Sequence, residues 1–273
     1  MIVSRPIVRL DSDATTSVTD DLAVEEPLEI RVDGETLAVT MRTPGDDARL
    51  ALGFLLAEGL IQDGGDVSSI APCGRPGDED FGNVIDVRSA PGKPIAIERL
   101  LDSRRYVPIS ASCGVCGRRS IEHLRKRLSP LATDQVALSQ QDVASAVERL
   151  AALQPNFSRT GGVHAAAIFS GREVLASFED VGRHNAVDKA IGSLLERDLL
   201  SSAELLVVSG RSSFEIVQKA AAAKIPMVAS VSAPSSLAVD LAAEMGLTLV
   251  GFVRGAAMNL YTHPARVGIP RSC

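Results

Sequence analysis

No apolar run in the sequence reaches the roughly 18 to 20 residues of a membrane-spanning helix, so no such span is expected. The first residues, MIVSRPIVRLDSD, carry no apolar core of a secretory leader, and a cytoplasmic location is expected. Cysteine is scarce: four residues in 273, one close pair at 113 and 116 and two isolated at 73 and 273. That is no disulfide framework for a chain of this length, and it fits a reducing compartment. Positive charge is also short. The net charge of −6 argues against a general nucleic-acid binder, which needs surplus Lys and Arg to neutralise phosphates, but leaves room for a local basic pocket. Internal repeats, a Walker A loop and a GxGxxG fingerprint are all missing. With 45% apolar residues the chain can nevertheless bury a substantial core, in one large or two small domains.

The stretch with the most evident chemistry is SASCGVCGRRS at 110–120. A thiol acts as thiolate, a minor species at a free pKa of about 8.5. Near Cys113 and Cys116, Arg118 and Arg119, the amides exposed by Gly114 and Gly117, and a helix expected over 120–128 would all favour thiolate. Cysteines three apart can also act on one another: one holds a sulfur or a mixed disulfide, the other attacks it. The plainer alternatives are half of a zinc site or two inert thiols. Four-coordinate structural zinc would need two further ligands, and neither a second CxxC nor a CxxH is present, so distant residues or a dimer would have to supply them. A thioredoxin-type oxidoreductase is also possible from the dithiol, but the pair opens no recognisable βαβ unit.

Along the chain, residues 1–23 read as a polar, flexible arm. PLEIRVDGETLAVTM then predicts a hairpin turning at Asp33-Gly34, and DDARLALGFLLAEGLI a helix with acids in its first turn. SSIAPC and GNVIDVRS read as short strands. This makes residues 24–128 an α+β domain ending in the CGVCG loop. SPLATDQVAL is the expected linker. Ser139, three residues before Asp142, begins a helix through Leu153 in the manner of a capping box. Residues 139–273 read as an α/β domain with strands at 163–169, 173–178, 204–208, 226–231 and 247–253. Helices are expected near 185–197, 213–223 and 235–244. The first two strands form a hairpin through Ser170-Gly171; the rest is β-α-β-α-β, which favours a parallel sheet.

Ligands of open α/β sheets collect beyond the carboxyl ends of the strands. Three such ends carry anion-suited residues: Ser209-Gly210-Arg211-Ser212-Ser213, Ala233-Pro234-Ser235-Ser236, and Arg254-Gly255. Each alone could be an ordinary turn with a capping serine. Asp180, Arg183, His184, Asp188 and Lys189 form a dense polar cluster close by. On a helix His184 and Asp188 would share a face as ligand contacts or an acid/base pair, or the cluster could be an anchoring network of salt bridges. His164 begins a strand; His263, Glu58, His123, Cys73 and Cys273 suggest no role.

The blocks SCGVCG at 112–117, TGGVHAAAIF at 160–169, FEDVGRHNAVDKAIG at 178–192, SGRSSFEIVQKA at 209–220 and FVRGAAMNLY at 252–261 occur in one order. Together they closely resemble the FdhD family of sulfur carriers required for active formate dehydrogenase, from about residue 24 onward. The resemblance implies a cytidine-deaminase-like, three-layer fold for the C-terminal half. It implies a sulfurtransferase that receives sulfur from a cysteine desulfurase and passes it to the molybdenum cofactor, as bis-molybdopterin guanine dinucleotide, before insertion into formate dehydrogenase. It matches Cys113 to the persulfide carrier and Cys116 to its partner. Phe252, Val253, Arg254, Gly255, Ala256 and Ala257 match the cofactor-binding stretch, and a GDP-like guanine nucleotide is an implied occupant. Ser209, Gly210, Arg211, Ser212, Arg183 and His184 join that binding set. A homodimer is implied as well. The alternative is a molybdenum-cofactor-binding chaperone whose CxxC is a zinc or docking element. Deamination does not come with the fold. Zinc deaminases need H-x-E followed by P-C-x-x-C, whereas His164 is followed by Ala165-Ala166 and the CxxC precedes it.

Overall fold

The computed structural model describes residues 1–12, 14–74, 77, 81–97, 128–132 and 138–268. Cys113, Cys116, His123, Cys273 and all of the helix expected over 120–128 except Leu128, which is not helical, lie outside the described residues.

The N-terminal arm differs from its expectation. Strand β1 (Ile2–Asp11) and strand β2 (Ala14–Ala23) pair antiparallel in continuous register, from Ile2 opposite Ala23 to Asp11 opposite Ala14. Polar composition suggested a loose segment, but Ile2, Val3, Ile7 and Val8 of β1 and the three threonines and Val18 of β2 are β-branched residues that suit a pleated ribbon. The base of the ribbon is fastened by Val24 N donating to Met1 O at 3.0 Å and by an Arg159–Asp21 ion pair at 2.7 Å.

Strands β3 (Glu26–Val32) and β4 (Glu35–Arg42) form the expected hairpin. Its turn uses left-handed backbone at Asp33 (φ 51°) and Gly34 (φ 89°), the two positive values a type I′ turn requires. Helix α1 (Asp47–Ala57) follows, then β5 (Val67–Pro72) and β6 (Val84–Ser89), which complete a four-stranded sheet in the order β4-β3-β6-β5.

After the short β7 (Leu138–Ser139), helix α2 (Gln140–Ala152) starts with the expected capping box: Ser139 Oγ accepts from Asp142 N, and the Asp142 carboxylate accepts from Ser139 N. Helix α3 (Pro155–Thr160) leads into the hairpin β8 (His164–Ser170) and β9 (Glu173–Asp180). There follow α4 (Arg183–Glu196), β10 (Leu205–Val208), α5 (Phe214–Ala222), β11 (Met227–Ser230), α6 (Ser236–Glu244), β12 (Thr248–Arg254), β13 (Ala257–Thr262) and β14 (Val267–Gly268). The sheet runs β13-β12-β11-β10-β8-β9, with β10, β11 and β12 mutually parallel as expected. Strand β13 was not foreseen: it turns back at Gly255 (φ 52°) and pairs antiparallel to β12.

Helix α2 covers one face of this sheet, burying Val143, Val147 and Leu150 against Phe169, Leu205, Val207 and Met227. The opposite face packs on α4, α5 and α6, giving the three layers implied by the resemblance. That second core does not stop at the helices. It continues through Leu50 and Leu55 of α1 to Leu28, Ile30 and Val87 of the N-terminal sheet, so both halves share one apolar interior. The junction is a very close crossing of α1 on α4. A Cβ at Gly53 would lie 2.0 Å from Asp188 O, and one at Gly192 would lie 1.9 Å from Arg49 O. Two backbones can approach this closely only where neither carries a side chain.

Candidate functional site

Parallel pairing of β10, β11 and β12 brings their carboxyl ends to one edge of the sheet. The antiparallel β8 brings its amino end, His164, to that edge, and β9 brings Asp180 directly opposite His164. The candidate loops therefore converge. Ser212 bridges to Pro234, Ser235 N donates to Ser212 O at 3.0 Å, and Phe252 N donates to Ser232 O at 3.1 Å. Ser209 Oγ accepts from Ala165 N at 2.8 Å, tying the first loop to β8.

The stretch 252–257 is irregular for a physical reason. The pairing of β12 with β13 slips between Gly251 and Arg254, and Phe252 adopts left-handed backbone (φ 53°), uncommon for a bulky residue. Its ring is consequently 44% exposed at the sheet edge. Such strained residues cluster at ligand sites. Val253, by contrast, is buried in the core, so only its backbone faces the edge. Arg254 is exposed and donates to Val231 O at 2.7 Å; Gly255 and Ala256 form the turn, with Ala256 O accepting from Gln140, and Ala257 opens β13 exposed. Arg211 and Gly210 line the neighbouring loop, Arg211 exposed. Behind it, the fully buried Ser212 Oγ has no hydrogen-bond partner among the described residues, and neither does the buried Nε of Arg183. Buried polar atoms without partners are rare in folded chains and mark places where a ligand or water completes the set.

The polar cluster divides in two. Asp180, Asp188 and Lys189 are a buried anchoring network. Asp180 pairs with Lys189 Nζ at 2.7 Å and accepts from Thr43 N, Gly182 N and Asn185 Nδ2. Lys189 also donates to Thr43 O at 2.8 Å, and Asn185 Nδ2 to Met41 O at 2.7 Å. Asp188 does not meet His184 as its helical spacing suggested. Lys219 of α5 holds it bidentately at 2.6 and 2.8 Å, and burial pushes its carboxyl up to about 6 against the pull of Lys219.

His184 instead reaches the start of α5. Its Nε2 lies 2.8 Å from Glu215 Oε2 and 3.2 Å from Ser213 Oγ, and Ser213 Oγ donates to the same carboxylate at 3.2 Å. One ring nitrogen serves both neighbours, so this is no serine–histidine–acid relay, which uses opposite nitrogens. Burial pushes the Glu215 carboxyl up, but the hydrogen bond and charge of His184, the Ser213 hydroxyl and the Arg183 charge outweigh it and bring it down to about 2. Burial lowers the imidazole of His164, helped by the charges of Arg183 and His184 and opposed by Asp180, so the His164 ring stays neutral at neutral pH. Sequence reasoning missed Glu215, Lys219 and Thr43, because each joins the site across a long sequence separation with no local spacing to betray it.

A depressed carboxyl contributes stability above its unfolded value, about 4.5 for Glu, and loses it as the pH falls towards the folded value of about 2. Glu215→Gln should therefore flatten the acid limb of the stability curve in that window, as read by urea unfolding across pH.

Among the described residues no helix is long and apolar enough to cross a membrane. A family model described as the FdhD/NarQ family matches residues 23–268. A protein of Anaeromyxobacter dehalogenans named sulfur carrier protein FdhD is 58% identical over 262 residues, covering 93% of this chain and 90% of its own length. Proteins of the same name from Streptomyces coelicolor and Mycobacterium tuberculosis are 48% and 46% identical, covering 97% and 96% of this chain and 95% and 97% of their own. The crystal structure of a candidate formate dehydrogenase accessory protein from Desulfotalea psychrophila superposes with a TM-score of 0.77 over 97% of this chain and 99% of its own, at 24% identity, and shares the fold. With a family model spanning all but the ribbon and the C-terminal tail, and relatives of one name matched nearly end to end, the chain belongs to the FdhD/NarQ family.

Proposed function

We propose that this chain is a sulfur carrier serving formate dehydrogenase. It accepts sulfur from a cysteine desulfurase as a persulfide on Cys113, with Cys116 as the second thiol, and delivers it to bis-molybdopterin guanine dinucleotide before that cofactor enters the dehydrogenase. The observation that carries this reading is 58% identity, over 93% of the chain, to a protein named sulfur carrier protein FdhD, in a sequence that itself holds the CGVCG pair. The sheet edge supports the ligand half of the proposal. Arg183 Nε and Ser212 Oγ, without a partner among the described residues, exposed Arg211 and Arg254, and strained, exposed Phe252 suit a polyanion with a flat base. Loading is a transpersulfidation: the Cys113 thiolate attacks the outer sulfur of the desulfurase persulfide, the S–S bond there breaks, and the desulfurase cysteine leaves as thiolate. No outside oxidant or reductant is consumed. The molecule acts in the cytoplasm, as a homodimer.

The test is intact mass after incubation with a cysteine desulfurase and cysteine. Wild type should gain the mass of one sulfur, lost on treatment with a reducing thiol, and Cys113→Ala should gain none. If wild type gains nothing while zinc copurifies with it in a CxxC-dependent manner, the carrier reading is wrong and a cofactor-binding chaperone takes its place.

A further inference from the structure

The β1–β2 ribbon has two unlike faces. Directly opposed residues of an antiparallel pair share a face, and the register here is continuous, so alternate residues fall on opposite sides. One side carries Arg5, Arg9, Asp11 and Asp20. The other carries Pro6, Val8 and Leu10 of β1 with Thr15, Ser17 and Thr19 of β2, all of them exposed and none of them charged. Leu10 at 75% and Val8 at 63% are the most exposed large apolar side chains among the described residues. The one charge on that side, Asp21, lies at the base, where Arg159 and Ser4 Oγ take it up, each at 2.7 Å.

Neither outer edge of the ribbon pairs with a third strand among the described residues. A two-stranded unit in water gains most from laying one face on another surface. Charge decides which face that is: covering the first side would desolvate four ions, whereas the second can be covered without desolvating any beyond the base. Size decides what covers it. Strands rising about 3.3 Å per residue and lying about 4.8 Å apart give a ten-pair ribbon a face of roughly 300–400 Å². Laid on another protein, one arm buries that area and as much opposite it, roughly 700 Å² in all, short of the ~1,200 Å² of a specific, stable interface. Two copies that exchange arms about a two-fold axis bury twice as much and reach the standard range, because each offers the other the same pair of surfaces.

Resting on the homodimer proposed above, we infer that two copies of this chain hold each other by reciprocal exchange of the β1–β2 ribbon. Each lays its uncharged face on the body of its partner and leaves its charged face in water. The Arg159–Asp21 pair and the Val24 N bond to Met1 O fix the base from which the arm departs. The ribbon lies outside residues 23–268, which the family model matches, so the exchange is an addition to the shared body of the family.

The experiment is sedimentation equilibrium of the full chain, wild type against the double variant Val8→Glu, Leu10→Glu. Wild type should be a dimer. The double variant should raise the dimer dissociation constant at least about a hundredfold, because each arm would have to bury two unpaired carboxylates. Thr16→Glu puts its charge on the other side of the same ribbon and should dimerise as wild type does. A second measurement requires no loss of binding. A photo-reactive benzoylphenylalanine at position 17, in dimers mixed from light and isotope-labelled chains, should join the ribbon of one copy to the body of the other. A double variant that dimerises like wild type would overturn the inference and leave the homodimer standing on another surface. Dissociation of Thr16→Glu to the same extent would overturn the choice of face. Cross-links from ribbon to ribbon, or from a ribbon to its own body, would overturn the exchange. Cross-linking in cells to a different protein, with none between copies, would overturn the choice of occupant. A monomeric wild type would overturn both the inference and the homodimer it rests on.

Discussion

Replacing Gly53 with alanine is expected to destabilise the folded chain by at least about 3 kcal/mol, and Gly192→Ala by a similar amount. The added methyl would sit 2.0 Å from Asp188 O in the first case and 1.9 Å from Arg49 O in the second, far inside any real contact. What it strikes is backbone, which cannot swing aside as the end of a side chain can. The helices must separate, and the apolar interior they close, from Leu28 and Leu55 to Ile191 and Leu194, must open with them. In an isolated helix Gly→Ala would be stabilising, so the sign of the effect isolates the crossing. Urea unfolding of each variant, or loss of soluble protein, reads the outcome; a variant as stable as wild type would mean the helices do not cross this closely.

The second large effect is expected at Lys189. Substitution by methionine keeps most of its volume but removes the cation that pairs with Asp180 at 2.7 Å and the donor to Thr43 O at 2.8 Å. Asp180 is fully buried, so its charge is stranded in the interior. Breaking such a pair from one side costs about 3–5 kcal/mol. Asp180→Asn in the same chain should return part of the loss, because the amide oxygen can still accept from Gly182 N and Asn185 Nδ2, which both bond to Asp180 Oδ1, without carrying charge. Denaturant midpoints of the two single variants and the double variant measure this. Equal losses that simply add would show that the pair is not coupled.

Local sequence signals identify strands and helices well wherever chemistry and neighbours agree. Asp33-Gly34 turns its hairpin with the left-handed angles that pair favours, and Ser139 with Asp142 caps α2 as their spacing suggests. The alternation after residue 163 yields the sheet, and with it the convergence of the 209–213, 233–236 and 252–257 loops. Two strand predictions went astray. Polar composition hid the β1–β2 ribbon, whose stability comes from cross-strand pairing and not from a buried face. Ala257–Thr262, for which the sequence suggests no strand and of which only Ala257 belongs to the stretch matched to cofactor binding, is an edge strand that Gly255 turns back. The side-chain partnerships were the least legible part. Spacing on one helix offered His184 to Asp188, but Lys219 from another helix outbids it with two short hydrogen bonds in a buried setting, leaving His184 to Glu215. Such choices are made by packing across the chain, which periodicity does not encode.

The end of β4 is keyed into the floor of the sheet edge. Thr43 N and Oγ1 bond to Asp180 and Val181 N, Thr43 O takes Lys189, Met41 O takes Asn185, and Thr40 Oγ1 donates to Asn185. A clamshell movement of the two halves would have to strip these bonds, most of them shielded from water, together with the glycine-to-backbone crossing beside them. Among the described residues, these bonds and the helix crossing leave no hinge between the halves. Room at the sheet edge would be made or closed by loops and side chains moving over a rigid floor, and the dinucleotide cofactor proposed as cargo would have to enter and leave without the body of the protein opening.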